Sequence, residues 1–179
     1  MLLWIRAGLV LLVVALFAVG HLLPAVYRGE ATADVPLGID TVWAAAHAVE
    51  QVPISGQARH VERLPDADGR PSWVEDLGST RLTVVTESWD APRTAVRRVT
   101  DAEAPVSMRM EIALAPLQGG TRATARMSIE IATTSWHGPF FRWMMLLTGG
   151  ARLAVKSWLR RLNKTCAATA TGAASPGRA

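Results

Sequence analysis

The sequence predicts an α+β protein in which a curved antiparallel sheet wraps around one long C-terminal helix, preceded by an N-terminal transmembrane helix. Three patterns support this fold class. Residues 7–27 carry no formal charge, residues 57–131 alternate apolar and polar side chains, and residues 138–162 repeat apolar side chains every three or four positions. A length of 179 residues fits one domain with added segments rather than two full domains.

The formal charge of +4 is unevenly distributed along the chain. Residues 31–137 hold 10 basic and 14 acidic side chains, which sum to −4, whereas residues 138–164 hold six basic side chains and no acid. The body therefore lacks the basic surface that duplex-binding proteins show, and we expect no nucleic acid partner. The single cysteine, Cys166, excludes an intrachain disulfide and a thiolate zinc cluster.

The first element is the uncharged run from Ala7 to Tyr27, which as a helix spans roughly 31 Å and matches the hydrocarbon core of a bilayer. We therefore predict a retained transmembrane anchor within residues 1–30 and a single-pass membrane protein. The charges that flank the run favour an extracytoplasmic body. A cleaved signal peptide is the alternative, because residues 31–33 fit the small-x-small cleavage pattern.

The body begins with a short strand and a short helix. Asp40 is a suitable cap for a helix that begins near Thr41, and Pro53 with Gly56 ends that helical region. Six strands follow as three hairpins, and residues 66–69 form the turn signal of the first hairpin. The alternation is most regular in the last hairpin, which predicts one apolar and one solvated sheet face, with opposite charges paired across strands on the solvated face.

The final helix is predicted to begin at Gly138, because the apolar side chains from there on recur at helical spacing. Gly149 and Gly150 predict a bend in its middle. Residues 165–179 have low-complexity composition, which predicts a disordered tail. The chain is thus divided into an anchor at 1–30, one domain at 31–164 and the tail.

Three short motifs occur in a characteristic order along the body. They are Val42-Trp43, Gly119-Gly120-Thr121-Arg122, and Trp158-Leu159 followed by Leu162. In this order the chain resembles the START-like, or SRPBCC, superfamily over roughly residues 31–164, nearest to its polyketide cyclase/dehydrase and lipid transport branch. The resemblance implies a helix-grip fold with a cavity for lipids, sterols or polyketides, and members that are either carriers or cyclases. The branch often has a tryptophan soon after the first helix, where this chain has Pro53-Ile54-Ser55-Gly56.

The candidates for ligand contact are apolar side chains predicted on the inner sheet face and on the final helix. They are Met108, Met110, Ile112, Met127, Ile129, Trp143 and Leu147. Methionine suits irregular apolar ligands because its unbranched side chain adapts its shape. The alternative is that the same residues only pack against the final helix, and both interpretations hold where a cavity wall is also core.

Polar candidates for chemistry are fewer. His60 and Glu62 share one face of a strand, which suits acid–base work or weak metal binding but equally a solvated edge. Glu75, Glu87 and Arg98 lie within strands, and alternation leaves open whether they point inward. His137 is expected in a loop near the cavity entrance. We predict no catalytic residue, no metal site and no cofactor.

The basic face of the final helix has two interpretations. Arg152, Lys156 and Arg160 recur at four-residue spacing and either face solvent or contact anionic lipid headgroups. With the anchor, this set favours a membrane-anchored SRPBCC-like protein that binds a hydrophobic small molecule or lipid. The alternatives are a polyketide cyclase/aromatase-like enzyme and an interaction module without a ligand.

Overall fold

The structure is a computed structural model that describes residues 2–101, 106–133 and 138–173. The chain begins with helix α1 (Leu2–Leu22), strand β1 (Val26–Val35) and helix α2 (Ile39–His47). Six strands follow: β2 (His60–Ala67), β3 (Arg70–Asp76), β4 (Arg81–Asp90), β5 (Thr94–Asp101), β6 (Val106–Leu117) and β7 (Arg122–Thr133). Helices α3 (Gly138–Thr148) and α4 (Gly150–Ala173) complete the described elements. The predicted α+β class with a C-terminal helix is confirmed.

The seven described strands form one antiparallel sheet in the order β1-β7-β6-β5-β4-β3-β2. The first strand pairs with the last, from Val26 opposite Ala132 to Val35 opposite Ala123. The predicted turn of the first hairpin is present, and Asp68 and Gly69 both have positive φ, as a two-residue hairpin turn requires. This arrangement is consistent with the helix-grip fold.

The two faces of the sheet differ as the alternation predicts. The outer face carries ion pairs across neighbouring strands, including Arg126 with Glu30, and Arg81 with Glu62. These side chains are more than half exposed, so each pair adds at most about 1 kcal/mol to stability. The inner face is apolar and buried, and it forms one core with the buried face of α4.

Helix α4 crosses the sheet at β1, and a glycine makes the close approach possible. A Cβ atom on Gly29 would lie 2.5 Å from the carbonyl carbon of Ala151, so only glycine fits without a shift of the helix. Beyond this crossing, Val155, Trp158 and Leu162 of α4 are almost fully buried against the sheet. Burying each of the two aliphatic side chains contributes roughly 1.5–3 kcal/mol.

The N-terminal segment differs from its prediction. The uncharged run is divided, because α1 ends at Leu22 and β1 begins at Val26. Within α1 the uncharged part from Ala7 is therefore about 16 residues and roughly 24 Å long, and the residues before it include Arg6. In the described ranges, no helix has both the length and the apolar character needed to cross a membrane. The predicted single-pass membrane localisation is wrong.

Helix α1 instead packs on α3. Phe17 lies 5.7 Å from Phe140 between ring centroids, and Trp143 donates from Nε1 to the carbonyl oxygen of Leu16 at 2.9 Å. Arg142 donates from Nη1 to the carbonyl oxygens of His21 and Leu23, each at 3.2 Å. A basic side chain thus caps the carbonyls that the end of α1 leaves free.

The C-terminal helical region is two helices rather than one bent helix. Gly149 has a φ of 61° and separates α3 from α4. Helix α4 then continues past Lys164 to Ala173, where the composition predicted a tail, and Cys166 is fully buried. Alanine has the highest helix propensity, and this segment is rich in it. Residues 174–179 lie outside the described ranges.

Candidate functional site

Five of the predicted ligand-contact residues lie together on the inner face. Met110, Ile112, Met127 and Ile129 are buried, and Met108 is half-buried at the edge of the same core. Ile112 faces Met127, and Met110 faces Ile129, across β6 and β7. The two helical candidates lie elsewhere, since Trp143 contacts α1 and Leu147 is 77% exposed.

The inner face also holds a charged side chain, Arg97, directly beside this stripe. Arg97 is fully buried on β5 and pairs with Met110 of β6 and with Thr86 of β4. Its guanidinium carbon lies 4.9 Å from the centre of the Trp73 ring, which is a cation–π distance. None of its three nitrogens has a hydrogen-bond partner among the described residues. A buried guanidinium with free N–H groups is costly, so this position needs an explanation.

The nearest buried carboxylate, that of Glu75, is already occupied. Its Oε1 accepts from the backbone N–H of Ile54 at 2.7 Å and from Nε1 of Trp73 at 3.1 Å, and its Oε2 accepts from the N–H of Ser55 at 2.9 Å. Burial lowers the pKa of Arg97 to about 10, and the negative charge of Glu75 offsets only part of this effect. Arg97 therefore remains cationic at neutral pH.

Glu75 and Arg161 together hold the segment that follows α2. Arg161 of α4 donates from Nη2 to the carbonyl oxygens of Pro53 and Ile54, at 3.3 and 3.1 Å. Because Glu75 accepts from the N–H groups of Ile54 and Ser55, side chains of β3 and α4 hold both sides of this segment. This is the segment where the branch often has a tryptophan. Glu75 does point inward, and its role here is structural.

A second polar group, the imidazole of His47, lies at the end of α2 inside an aromatic cluster. Its ring centroid is 4.0 Å from that of Trp43 and 4.4 Å from that of Trp89. Its Nδ1 lies 2.7 Å from the carbonyl oxygen of Trp43, which can only accept, so Nδ1 carries the proton. Nε2 is consequently an acceptor, and it is buried without a partner among the residues described.

The electrostatics of His47 tie it to Arg97. Burial is the main cause that lowers the pKa of His47 to about 4, and the positive charge of Arg97 lowers it further. His47 is therefore neutral at pH 7, with a free lone pair on Nε2. The interior thus holds one unpaired cation on β5 and one unpaired neutral base on α2 among the residues that the structure describes.

An irregularity in β4 shapes the aromatic cluster. The pairing of β4 with β5 shifts between Thr86 and Ser88, which makes Glu87 the extra residue of a β-bulge. Thr86 is buried on the inner face, and Trp89 contacts Trp43 and His47 three positions later. Uninterrupted alternation would send Thr86 and Trp89 to opposite faces, so the bulge is what brings both toward the interior.

The other polar candidates lie on the outside. Glu87 accepts from Nε of Arg98 at 2.6 Å and from Nε of Arg109 at 3.0 Å on the outer face. His60 and Glu62 are exposed on the edge strand β2, and Glu62 pairs with Arg81. His137 lies outside the described residues. No group of three or more potential metal ligands comes together within the described ranges.

The three predicted membrane-surface residues do not share one groove. Arg152 borders an open groove of about 420 Å³ whose lining holds three basic and three acidic side chains, so the charges in this groove are balanced. Lys156 and Arg160 border a second groove along β1. Headgroup contact by these three residues stays a prediction.

Arg97 and His47 are the two site residues that sequence reasoning missed. Arg97 has the same parity on β5 as the apolar residues Ala95 and Val99, and this parity was the available signal. It was obscured because Val96, on the opposite parity, is also apolar, so the sequence alone does not show which face of β5 is buried. His47 carried no motif, and only the packing of α2 against Trp89 encloses it.

No family model and no curated protein matches the chain. Solved structures do match it. The Zhui aromatase/cyclase from Streptomyces sp. R1128 is 19% identical, with a TM-score of 0.60 over 78% of this chain and 93% of that one. A START superfamily protein from Mycobacterium smegmatis is 13% identical, with a TM-score of 0.56 over 77% and 92%. The fold is START-like.

A protein from Thermus thermophilus shows the same fold, with 17% identity and a TM-score of 0.60 over 80% of this chain and 99% of that one. All three identities are low, so the likenesses show the fold alone. The sequence resemblance to the START-like superfamily is consistent with these structural neighbours. Membrane anchoring, which lay outside that resemblance, has no support.

Proposed function

We propose that this START-like protein binds a hydrophobic small molecule between the inner sheet face and α4. The observation that carries the proposal is the buried guanidinium of Arg97, unpartnered among the described residues, next to the apolar residues Met110 and Ile129. A domain whose only task was to fill its core would gain stability from an apolar side chain at this position. A ligand supplies both the apolar surface and the acceptor that the site lacks.

The driving force is the burial of apolar ligand surface, roughly 25 cal/mol per Å² before the costs of ordering. The inner-face residues Met110 and Met127 suit this task because thioether side chains adapt to irregular shapes. Binding a hydrophobic ligand is consistent with the START and aromatase/cyclase neighbours.

The test is fluorescence titration of the full chain with N-phenyl-1-naphthylamine, a neutral apolar probe. We expect saturable binding at one site, and Met110→Trp should abolish it because the larger side chain would occupy the place proposed for the ligand beside Arg97. Met144→Trp is the matched control, because Met144 is 49% exposed on α3 and the same substitution there leaves the interior unchanged. Equal binding by both folded variants would contradict an interior site. If Met110→Trp does not fold, Met127→Phe serves the same comparison.

An enzyme of the cyclase type is the second candidate, and the environment of His47 favours it. A neutral imidazole with a free Nε2 near a cationic guanidinium provides a proton acceptor and a stabiliser for a developing oxyanion. Deuterium exchange at the central carbon of 1-phenyl-1,3-butanedione tests this role by mass spectrometry. The enzyme hypothesis predicts faster exchange with the protein than with buffer, and loss of that acceleration in His47→Gln.

A further inference from the structure

We infer that the bound molecule is an apolar organic acid whose oxyanion is held by the guanidinium of Arg97 on the inner face of β5. The inference rests on the proposed function and adds the charge and chemical class of the ligand. Its foundation is a cationic donor on the inner face that is fully buried and whose three nitrogens are unpartnered among the described residues.

The N–H groups of Arg97 are available to a ligand. The centre of the Trp73 ring lies 4.9 Å from the guanidinium carbon, and this cation–π contact uses no hydrogen bond. The N–H groups lie in the plane of the guanidinium, and none of its three nitrogens has a hydrogen-bond partner among the described residues. Those in-plane N–H groups form the fork that binds a carboxylate with two parallel hydrogen bonds. The geometry around Arg97 therefore suits a planar oxyanion.

The charge balance around Arg97 points to a negative ligand. Glu75 is the buried carboxylate of this region, and its oxygens already accept from two backbone N–H groups and from Trp73. It also acts electrostatically on a second cation, Arg161, so two guanidinium groups share one carboxylate. His47 is neutral and adds no negative charge. One positive charge remains uncompensated among the described residues, which matches a monoanion.

The surroundings of the guanidinium define the rest of the ligand. Across the ladder from Arg97 lies Met110, with Ile129 beyond it, and both are buried. Buried apolar side chains beside one cationic donor suit a molecule that is mostly hydrocarbon and carries one acidic end. Inorganic anions and polyanionic ligands do not match such apolar surroundings.

The test compares one probe with its own ester on the full chain. The fluorescent fatty acid 11-(dansylamino)undecanoic acid and its methyl ester differ only in the charged end. We expect the acid to bind the wild type more tightly than the ester. Arg97→Met should weaken acid binding roughly ten- to hundred-fold, because a charge-assisted hydrogen bond is lost, and should leave ester binding unchanged.

Two further variants complete the design. Arg98→Met is the matched control, since Arg98 is the next residue on the same strand but pairs with Glu87 on the outer face, and it should bind both probes as the wild type does. Arg97→Lys keeps the charge without the fork and should bind the acid with intermediate affinity.

The outcomes separate this inference from the proposed function. Equal affinity of the wild type for acid and ester, with no effect of Arg97→Met, would overturn the acid inference and show that water alone satisfies Arg97, while ligand binding itself would stand. Failure of both ester and acid to bind, together with failure of N-phenyl-1-naphthylamine, would overturn the proposed function.

Discussion

Replacing Arg97 by methionine should stabilise the protein, although Arg97 is one of its most buried side chains. At pH 7 the guanidinium is charged in both the folded and the unfolded chain. Burial lowers its pKa to about 10 in the folded state, which corresponds to roughly 3 kcal/mol against folding. The cation–π contact with Trp73 returns about 1–2 kcal/mol of this. Methionine fills a similar length without the charge, so the free energy of unfolding should rise by about 1–2 kcal/mol.

The assay is urea unfolding at pH 7 without ligand, followed by tryptophan fluorescence. With an m-value of about 1–3 kcal/mol/M, the midpoint of Arg97→Met should rise by roughly 0.5–1 M at unchanged m. Arg98→Met is the control, because Arg98 forms an exposed pair with Glu87 and its loss should cost at most about 1 kcal/mol. A midpoint for Arg97→Met below that of Arg98→Met would refute the reasoning, since Arg97 would then be a structural residue with partners of its own.

Three further predictions concern the groups around this site. The free energy of unfolding should fall by up to about 3 kcal/mol as the pH drops from 6.5 towards 4. The reason is that His47 binds a proton in the unfolded chain but not in the folded one, where its pKa is about 4. The urea midpoints of His47→Gln should lack this part of the pH dependence. Glu75→Gln should lower the urea midpoint by the equivalent of about 1–3 kcal/mol, because the charged acceptor of two backbone N–H groups is lost. An unchanged midpoint would show that Glu75 does not hold the segment that follows α2. Gly29→Ala should lower the melting temperature through the clash with Ala151, whereas Gly8→Ala, with open space around it, should not; equal melting temperatures would disprove the tight crossing.

The elements of the sheet were predictable because their signal is local. Alternation with period two identifies a half-buried strand wherever one face is solvated, and β7 shows this pattern without a break from Arg122 to Thr133. The turn at Asp68 and Gly69 was equally local, since both residues tolerate positive φ. The three hairpins predicted from β2 to β7 follow from short connections, whereas the pairing of β1 with β7 does not.

The ends of the helical elements were less predictable, because tertiary contacts decide them. Within the uncharged run from Ala7 to Tyr27, no sequence signal for the end of a helix shows that the last residues belong to β1. Pairing with β7 and capping by Arg142 determine that division, and both partners lie more than 100 residues away in the sequence. The extension of α4 to Ala173 likewise depends on packing of Cys166, which low-complexity composition does not reveal.

The site itself was the least predictable part. The apolar stripe around Met110 followed from alternation, but an arginine in the interior contradicts the pattern that identifies a strand. The parity of Arg97 was readable only once the buried face of β5 was known. His47 became a site residue through its neighbours Trp43 and Trp89, and the second of these faces the interior only because of the bulge.

The bulge at Glu87 links the side chains on the outer face of β4 to those on its inner face. One inserted residue creates both an acidic side chain outside, where it meets Arg98 and Arg109, and the inward turn of Trp89 towards His47. Deleting Glu87 would therefore not simply remove two ion pairs; it would restore the strict alternation of β4 and rotate Trp89 out of the cluster. The face on which each later residue of β4 lies depends on this one extra position. A substitution leaves the alternation of β4 unchanged, whereas a one-residue deletion changes which side chains line the interior.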